Sequence, residues 1–422
     1  MIRGSNVIPI YNVAFGEYPK RKQVGYAFWN AEQISAQELE RLKTFFDHCN
    51  FVSPVVFVNR DCELAKYLDG KGIVVEVLNG KNIIESNRGF YNLVKSYNLE
   101  FVQCYGRGAF EHYAFVAKLA GLKTVCNLPE VRADYTRGRI NSVRDSLLLM
   151  LSDKILVNSK TQYDTLEEQS RRLFASMQME FSKKVAVVKH GINLERYYPV
   201  DVIDVLKLRQ KLGINLDAKV VVFLGDFSPR NKQLDFLQQV CLKFSASVSS
   251  GQGRRTDFYF ATQDALPHDL MSAEADGTLK PSMQSYSYLL RCCDLIDSLN
   301  LRGQIFLEAV GKEQRFLDLL GASDIAVLSP EVAQDEELLA KVLSLGKPIV
   351  TISDVTQTTA FIEEHSCGYS CHTSDLAAVF NGLYGLVQND ILYKQCCNNA
   401  KMIAKHMFDA NYATGEYERE VL

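Results

Sequence analysis

From residue 51 onward the chain alternates short apolar runs with stretches whose apolar residues recur every three or four positions. The runs at 51–58, 72–77, 99–104, 123–126, 153–158 and 184–189 have strand length. Those at 61–68, 91–97, 110–119 and 141–151 have helical spacing, and Ser159 is placed to cap a further helix through Tyr163 and Leu166. After a connecting stretch at 192–215 the rhythm resumes. Strands are predicted at 219–224, 256–261, 304–307, 325–328 and 349–352, and helices at 234–244, 313–320 and through Leu289, Leu290, Cys293, Leu295 and Ile296. Runs that are apolar at nearly every position suit strands covered on both faces, so the pattern predicts parallel sheets with helices on either side.

The pattern is weaker elsewhere. Residues 1–30 resist placement: 7–10 reads as a first strand, 16–22 as a basic turn, and 24–29 is apolar and aromatic, ending at the single tryptophan, Trp29, which reads as a packing anchor. Ser35 and Glu38 have the form of a capping box ahead of Leu42, Phe45 and Phe46. Small polar residues make 245–255 a surface loop, and 262–284, interrupted by Pro267, Gly277 and Pro281, a surface elaboration. Beyond 351, helices are predicted at 358–364, 375–387 and 392–407, with a poorly formed strand from Gly368.

A length of 422 residues exceeds one ordinary core and implies two domains. The predicted division is 1–195, 196–395, and a last helical segment, 396–422. With 47% hydrophobic and 23% charged residues the balance is that of a soluble protein, and a formal charge of -3 argues against nucleic acid as a partner. The first residues lack the apolar core of a secretory signal, which with eleven scattered cysteines points to a reducing cytoplasm. Cys367 and Cys371 lie beside His365 and His372 without a second ligand pair, so no metal site is predicted.

The densest punctuation lies between 321 and 354. A strand at 325–328 stops at Ser329 and Pro330, and Asp335, Glu336 and Glu337 precede a helix through Leu338, Leu339, Val342, Leu343 and Leu345. Gly346, Lys347 and Pro348 then lead into the next strand. Acids in a first helical turn complement the exposed N–H groups, and loops at the carboxyl ends of parallel strands are where such sheets bind ligands.

Five segments, 152–159 (SDKILVNS), 188–193 (VKHGIN), 222–229 (VFLGDFSP), 322–328 (ASDIAVL) and 345–350 (LGKPIV), occur in an order that resembles the GT-B glycosyltransferases, in particular the large retaining family that uses nucleotide-activated sugars. The resemblance spans residues 50–422. It implies two facing Rossmann-like domains, an acceptor site in the first, a donor site in the second, and a final helix crossing back to the first. It also implies a nucleoside diphosphate sugar as donor substrate with no further cofactor, and a glycan, lipid-linked or protein acceptor.

The family's diphosphate-binding arginine and lysine fall on Asp226 and Asn231, with Arg230 and Lys232 adjacent to the second position. Gly225, Arg230, Lys232 and Glu337 are therefore the expected donor-binding residues. The family's paired glutamates fall on Ala333 and Lys341, which leaves Glu331 and Glu336, with His190 in the interdomain turn, as the expected catalytic residues. His112 and the segment Gly106, Arg107, Gly108 are weaker candidates in the first domain, where the resemblance puts Asn127 at a position often held by an acid or histidine. A glycosyltransferase retaining anomeric configuration is the leading expectation. A non-catalytic relative acting as a binding or partner subunit, and a nucleotide-sugar epimerase or hydrolase on the same fold, are the alternatives. Lys20, Arg21 and Lys22 near aromatic residues offer a peripheral membrane patch, although a solvated basic turn is the plainer reading.

Overall fold

The computed structural model describes residues 21–422 apart from 81, 129–149, 177–179, 190, 198–200, 263–282 and 311–312. The predicted strand at 7–10, most of the helix at 141–151, nearly all of the 262–284 elaboration and His190 thus lie outside the described residues. The chain divides into two compact units, residues 1–189 with 415–422, and residues 190–414. Residues 396–414 group with the second unit and 415–422 with the first. Among the described residues no helix is long and apolar enough to cross a membrane.

The first unit is built on a seven-stranded parallel sheet. Its strands are β1 (Lys22–Phe28), β2 (Val52–Val58), β3 (Val74–Val77), β4 (Leu99–Tyr105), β5 (Lys123–Leu128), β6 (Lys154–Val157) and β7 (Val185–Val187), in the order 3-2-1-4-5-6-7. β1, an internal strand paired with both β2 and β4, is the strand that the sequence pattern leaves unplaced. Its Gly25 weakens the strand signal, yet a Cβ there would come within 3.1–3.2 Å of the Leu99, Phe57 and Val102 side chains, so the glycine lets these three pack closely over the strand. The helix predicted at 91–97 starts earlier, as Ile83–Ser96, because the Asn82 side chain accepts from the Glu85 N–H at 2.9 Å. Glu418, near the end of the chain and almost fully buried, accepts from the N–H groups of Phe51 (3.0 Å) and Val52 (3.2 Å) and fastens the entrance of β2. Glu418→Ala leaves both amides unpaired and is expected to cost about 2–4 kcal/mol in urea unfolding of the first unit. A loss below about 1 kcal/mol would show that water replaces the carboxylate.

The second unit carries a six-stranded parallel sheet of β8 (Lys219–Leu224), β9 (Thr256–Thr262), β10 (Ile305–Ala309), β11 (Ile325–Leu328), β12 (Ile349–Ile352) and β13 (Gly368–Cys371), in the order 10-9-8-11-12-13. Val221 and Phe223 pack into one layer while Val220, Val222 and Leu224 pack into the other, which is why β8 is apolar at every internal position. The segment predicted as a loop from 245 is helical through Leu242–Ser249; its serines return hydrogen bonds to preceding carbonyls, such as Ser247 to Phe244 at 2.8 Å.

Two polar devices hold this sheet. Arg209, buried on helix Val202–Leu212, meets Asp324 at 2.7 Å and donates to the carbonyls of Ala322 (2.9 Å) and Ala218 (3.0 Å). Asp324 in turn accepts from the Val220 N–H at 2.8 Å, so one ion pair locks a helix, β8 and the start of β11. Lys347, the lysine between Gly346 and Pro348, is also buried and donates to the carbonyls of Gly321 (2.9 Å) and Ser323 (2.6 Å) at the end of helix Glu313–Ala322. Burial pulls its pKa down to about 8.

The entry and exit of the second unit run side by side. Ile192 pairs with Asp409 as an isolated parallel bridge, the Ile192 N–H donating to Phe408 at 2.8 Å and the Ala410 N–H to Ile192 at 3.1 Å. A Cβ on Gly191 would fall 2.4 Å from the Ala410 Cα, so only glycine permits this contact.

Candidate functional site

The strand order of the second sheet reverses between β8 and β11, and connections leave their carboxyl ends in opposite directions there. That opening is where doubly wound sheets bind ligands. The loop after β8 runs through Gly225 and Asp226 into a 3-10 turn at Pro229–Asn231, and the loop after β11 through Ser329 and Glu331 into a second turn at Val332–Gln334. Gly225 has φ 146°, and a Cβ on it would lie 2.2 Å from Ser329 Oγ and 2.8 Å from Ser329 Cβ. The two loops therefore touch through a position that excludes every side chain.

Asn231 ties them together. Its Nδ2 donates to the Asp226 carbonyl at 2.9 Å and to Glu331 Oε2 at 2.8 Å, while its Oδ1 accepts from Ser329 Oγ at 2.8 Å and from the Glu331 N–H at 3.2 Å. Gln233, equally buried, donates to the Asp226 carbonyl at 2.7 Å. Ser228 Oγ donates to Glu331 Oε2 at 3.4 Å, and Arg230 Nη1 stands 3.8 Å from Glu331 Oε1 with its side chain 85% exposed. Lys232, at φ 62°, pairs with Asp235 at 3.8 Å.

Of the residues expected from sequence, Gly225, Arg230, Lys232 and Glu331 come together on these two loops. Glu336 and Glu337 lie in the first turn of helix Glu336–Ser344, whose N-cap is Asp335, accepting from the N–H groups of Glu337 (3.0 Å) and Leu338 (3.1 Å). Glu337 pairs with Lys341 at 2.6 Å, and the Lys341 ammonium sits 5.4 Å from the centre of the Tyr197 ring. The acid is thus engaged on its own helix. Asn231, Ser329 and Gln233 are the residues that sequence reasoning did not assign. Asn231 stood out there only as a lysine position lost, whereas the structure makes it the hub of the loop pair.

The first sheet has its own reversal, between β1 and β4. Trp29 follows β1, and Gly106, at φ 78°, opens helix Gly106–Leu119 directly after β4. The Trp29 ring lies against His112 on that helix, centres 3.7 Å apart, and burial lowers the histidine's pKa. Asn127, opposite Tyr105 in the ladder, is buried at the end of β5. Trp29 packs against this helix just beyond the carboxyl end of β1, beside the reversal in strand order. Among the described residues no group of three or more His, Cys, Asp or Glu is arranged to hold a metal ion.

No protein-family model and no curated protein matches the sequence. Solved structures do match. HepE from Anabaena in complex with UDP superposes with a TM-score of 0.63 at 15% identity, over 94% of this chain and 98% of that one. A glycosyltransferase from Rickettsia africae gives 0.63 at 15% identity, over 95% and 98%. UDP-GlcNAc 2-epimerase from Neisseria meningitidis bound to UDP-GlcNAc gives 0.53 at 14% identity, over 94% and 99%. At these identities the likeness is one of fold, and by it the chain carries the two Rossmann-like domains of the GT-B class.

Proposed function

We propose that this chain is a glycosyltransferase that moves a sugar from a nucleoside diphosphate sugar to an acceptor with retention of anomeric configuration. The observation that carries the reading is the pair of loops at the β8/β11 reversal, where a side-chain-free position at Gly225 adjoins the cations Arg230 and Lys232 and the acid Glu331. A diphosphate needs close backbone approach and positive charge, whereas a sugar needs hydrogen-bond acceptors for its hydroxyls. The departing diphosphate gains negative charge as the sugar leaves, and Arg230 and Lys232 stabilise that charge more than they stabilise the bound donor. That HepE was solved with UDP, and also with UDP-glucose, supports this class of donor.

Isothermal titration of the full chain against UDP, GDP, ADP and their sugar esters, followed by product detection with candidate acceptors, tests the reading. A folded sample that binds none of them would sink it. Arg230→Ala and Lys232→Ala are each expected to weaken nucleotide binding by about 3–10-fold, more at low salt, because both side chains are partly solvated. No change in either would remove the phosphate role from this loop.

A second reading, binding without turnover, is favoured by the engagement of Glu337 with Lys341. Transfer by the purified chain at an ordinary enzymatic rate would eliminate it. The epimerase or hydrolase alternative is separated by incubating donor alone, which yields product without acceptor only in that case.

A further inference from the structure

We propose that Asn231 is the positioning residue of this site, fixing the Glu331 carboxylate so that its Oε1 accepts hydrogen bonds from the hydroxyls of a sugar ring; the proposal rests on the nucleotide-sugar reading above. An asparagine side chain has two donor hydrogens and two acceptor lone pairs. All four are used here, on the Asp226 carbonyl, Glu331 Oε2, Ser329 Oγ and the Glu331 N–H. The partners also assign the amide: turning it over would face the NH2 group toward the Glu331 N–H and its oxygen toward a carboxylate. Being buried and fully bonded, Asn231 has nothing left for a ligand. Its effect must pass through what it holds.

What it holds is Glu331, by both the backbone N–H and the side chain. Immobilising a glutamate costs rotamer entropy, and here the hydrogen bonds from Asn231 and to Asn231 order Glu331 before a ligand arrives. Oε2 is taken by Asn231 and Ser228, which leaves Oε1 beside the solvated Arg230 guanidinium at 3.8 Å. A carboxylate accepts hydrogen bonds and repels phosphate, so Oε1 selects hydroxyl donors. Arg230, on the same loop as Asn231, has the opposite preference. The site thus separates recognition of sugar from recognition of diphosphate, and the two are distinguishable by ligand.

The test is titration of wild type, Asn231→Ala and Asn231→Asp with matched pairs, UDP and UDP-glucose, GDP and GDP-mannose. For the pair that the wild type binds, Asn231→Ala is expected to weaken the sugar ester by about 10-fold or more, the size of a lost hydrogen bond to a charged group, and the free diphosphate by less than about 2-fold. Asn231→Asp keeps the shape and the contacts to Ser329 and the Glu331 N–H but repels the carboxylate. It is expected to lose sugar discrimination at least as fully, and it carries the test should Asn231→Ala not fold. Equal weakening of ester and diphosphate, or no weakening of either, overturns the positioning role and leaves the nucleotide-sugar reading standing. Absence of any nucleotide binding by the wild type overturns both.

Discussion

Gly225→Ala is expected to weaken sugar-nucleotide binding strongly while the rest of the second unit stays folded. The added methyl would sit 2.2 Å from Ser329 Oγ and 2.8 Å from its Cβ, at a backbone φ of 146° that L side chains rarely adopt. Either the loop after β8 or Ser329 must move, and Ser329 is bonded to Asn231, so the displacement reaches Glu331. The expected affinity loss is about 100-fold, with about 1–3 kcal/mol of stability lost to backbone strain. Titration and thermal unfolding measure the two separately. Wild-type affinity in this variant would mean that the ligand binds elsewhere.

Arg209→Met is expected to give the largest loss of stability, about 3–5 kcal/mol, because it leaves the partly buried Asp324 without its closest cation. The midpoint of urea unfolding of the second unit reads the effect. Adding Asp324→Leu to Arg209→Met is expected to recover only part of it, since the Val220 N–H then lacks its acceptor. Full recovery would show that the charges contribute nothing beyond shape. A loss under about 1 kcal/mol in the single variant would show that Lys219, 3.3 Å from Asp324, suffices as its partner.

Most of the architecture was legible because strands covered on both faces are apolar throughout. Ile325–Leu328 and Ile349–Ile352 coincide with their predicted spans for this reason. β1 was illegible because Lys22–Phe28 contains a glycine and few β-branched residues, and its place in the sheet is decided by neighbours far along the chain. Glu331, Arg230 and Gly225 could be selected from loop position and chemistry. Asn231 could not. Its importance depends on four contacts, three on Glu331's loop and one on its own, which no spacing reveals. The acids at 335–337 carry a second message that the sequence pattern also holds: Asp335 caps the helix that follows, and Glu337 pairs with Lys341 one turn on.

The bridge between Ile192 and Asp409 means that the second unit begins and finishes at one point. A segment of more than two hundred residues with adjoining ends is organised as an insertion into its host, since closing it requires no spanning linker. Residues 190–414 are accordingly the natural fragment to express alone, and a chain reopened at an exposed turn such as 250–253, with 191 and 410 already in contact, is a natural circular permutant of it.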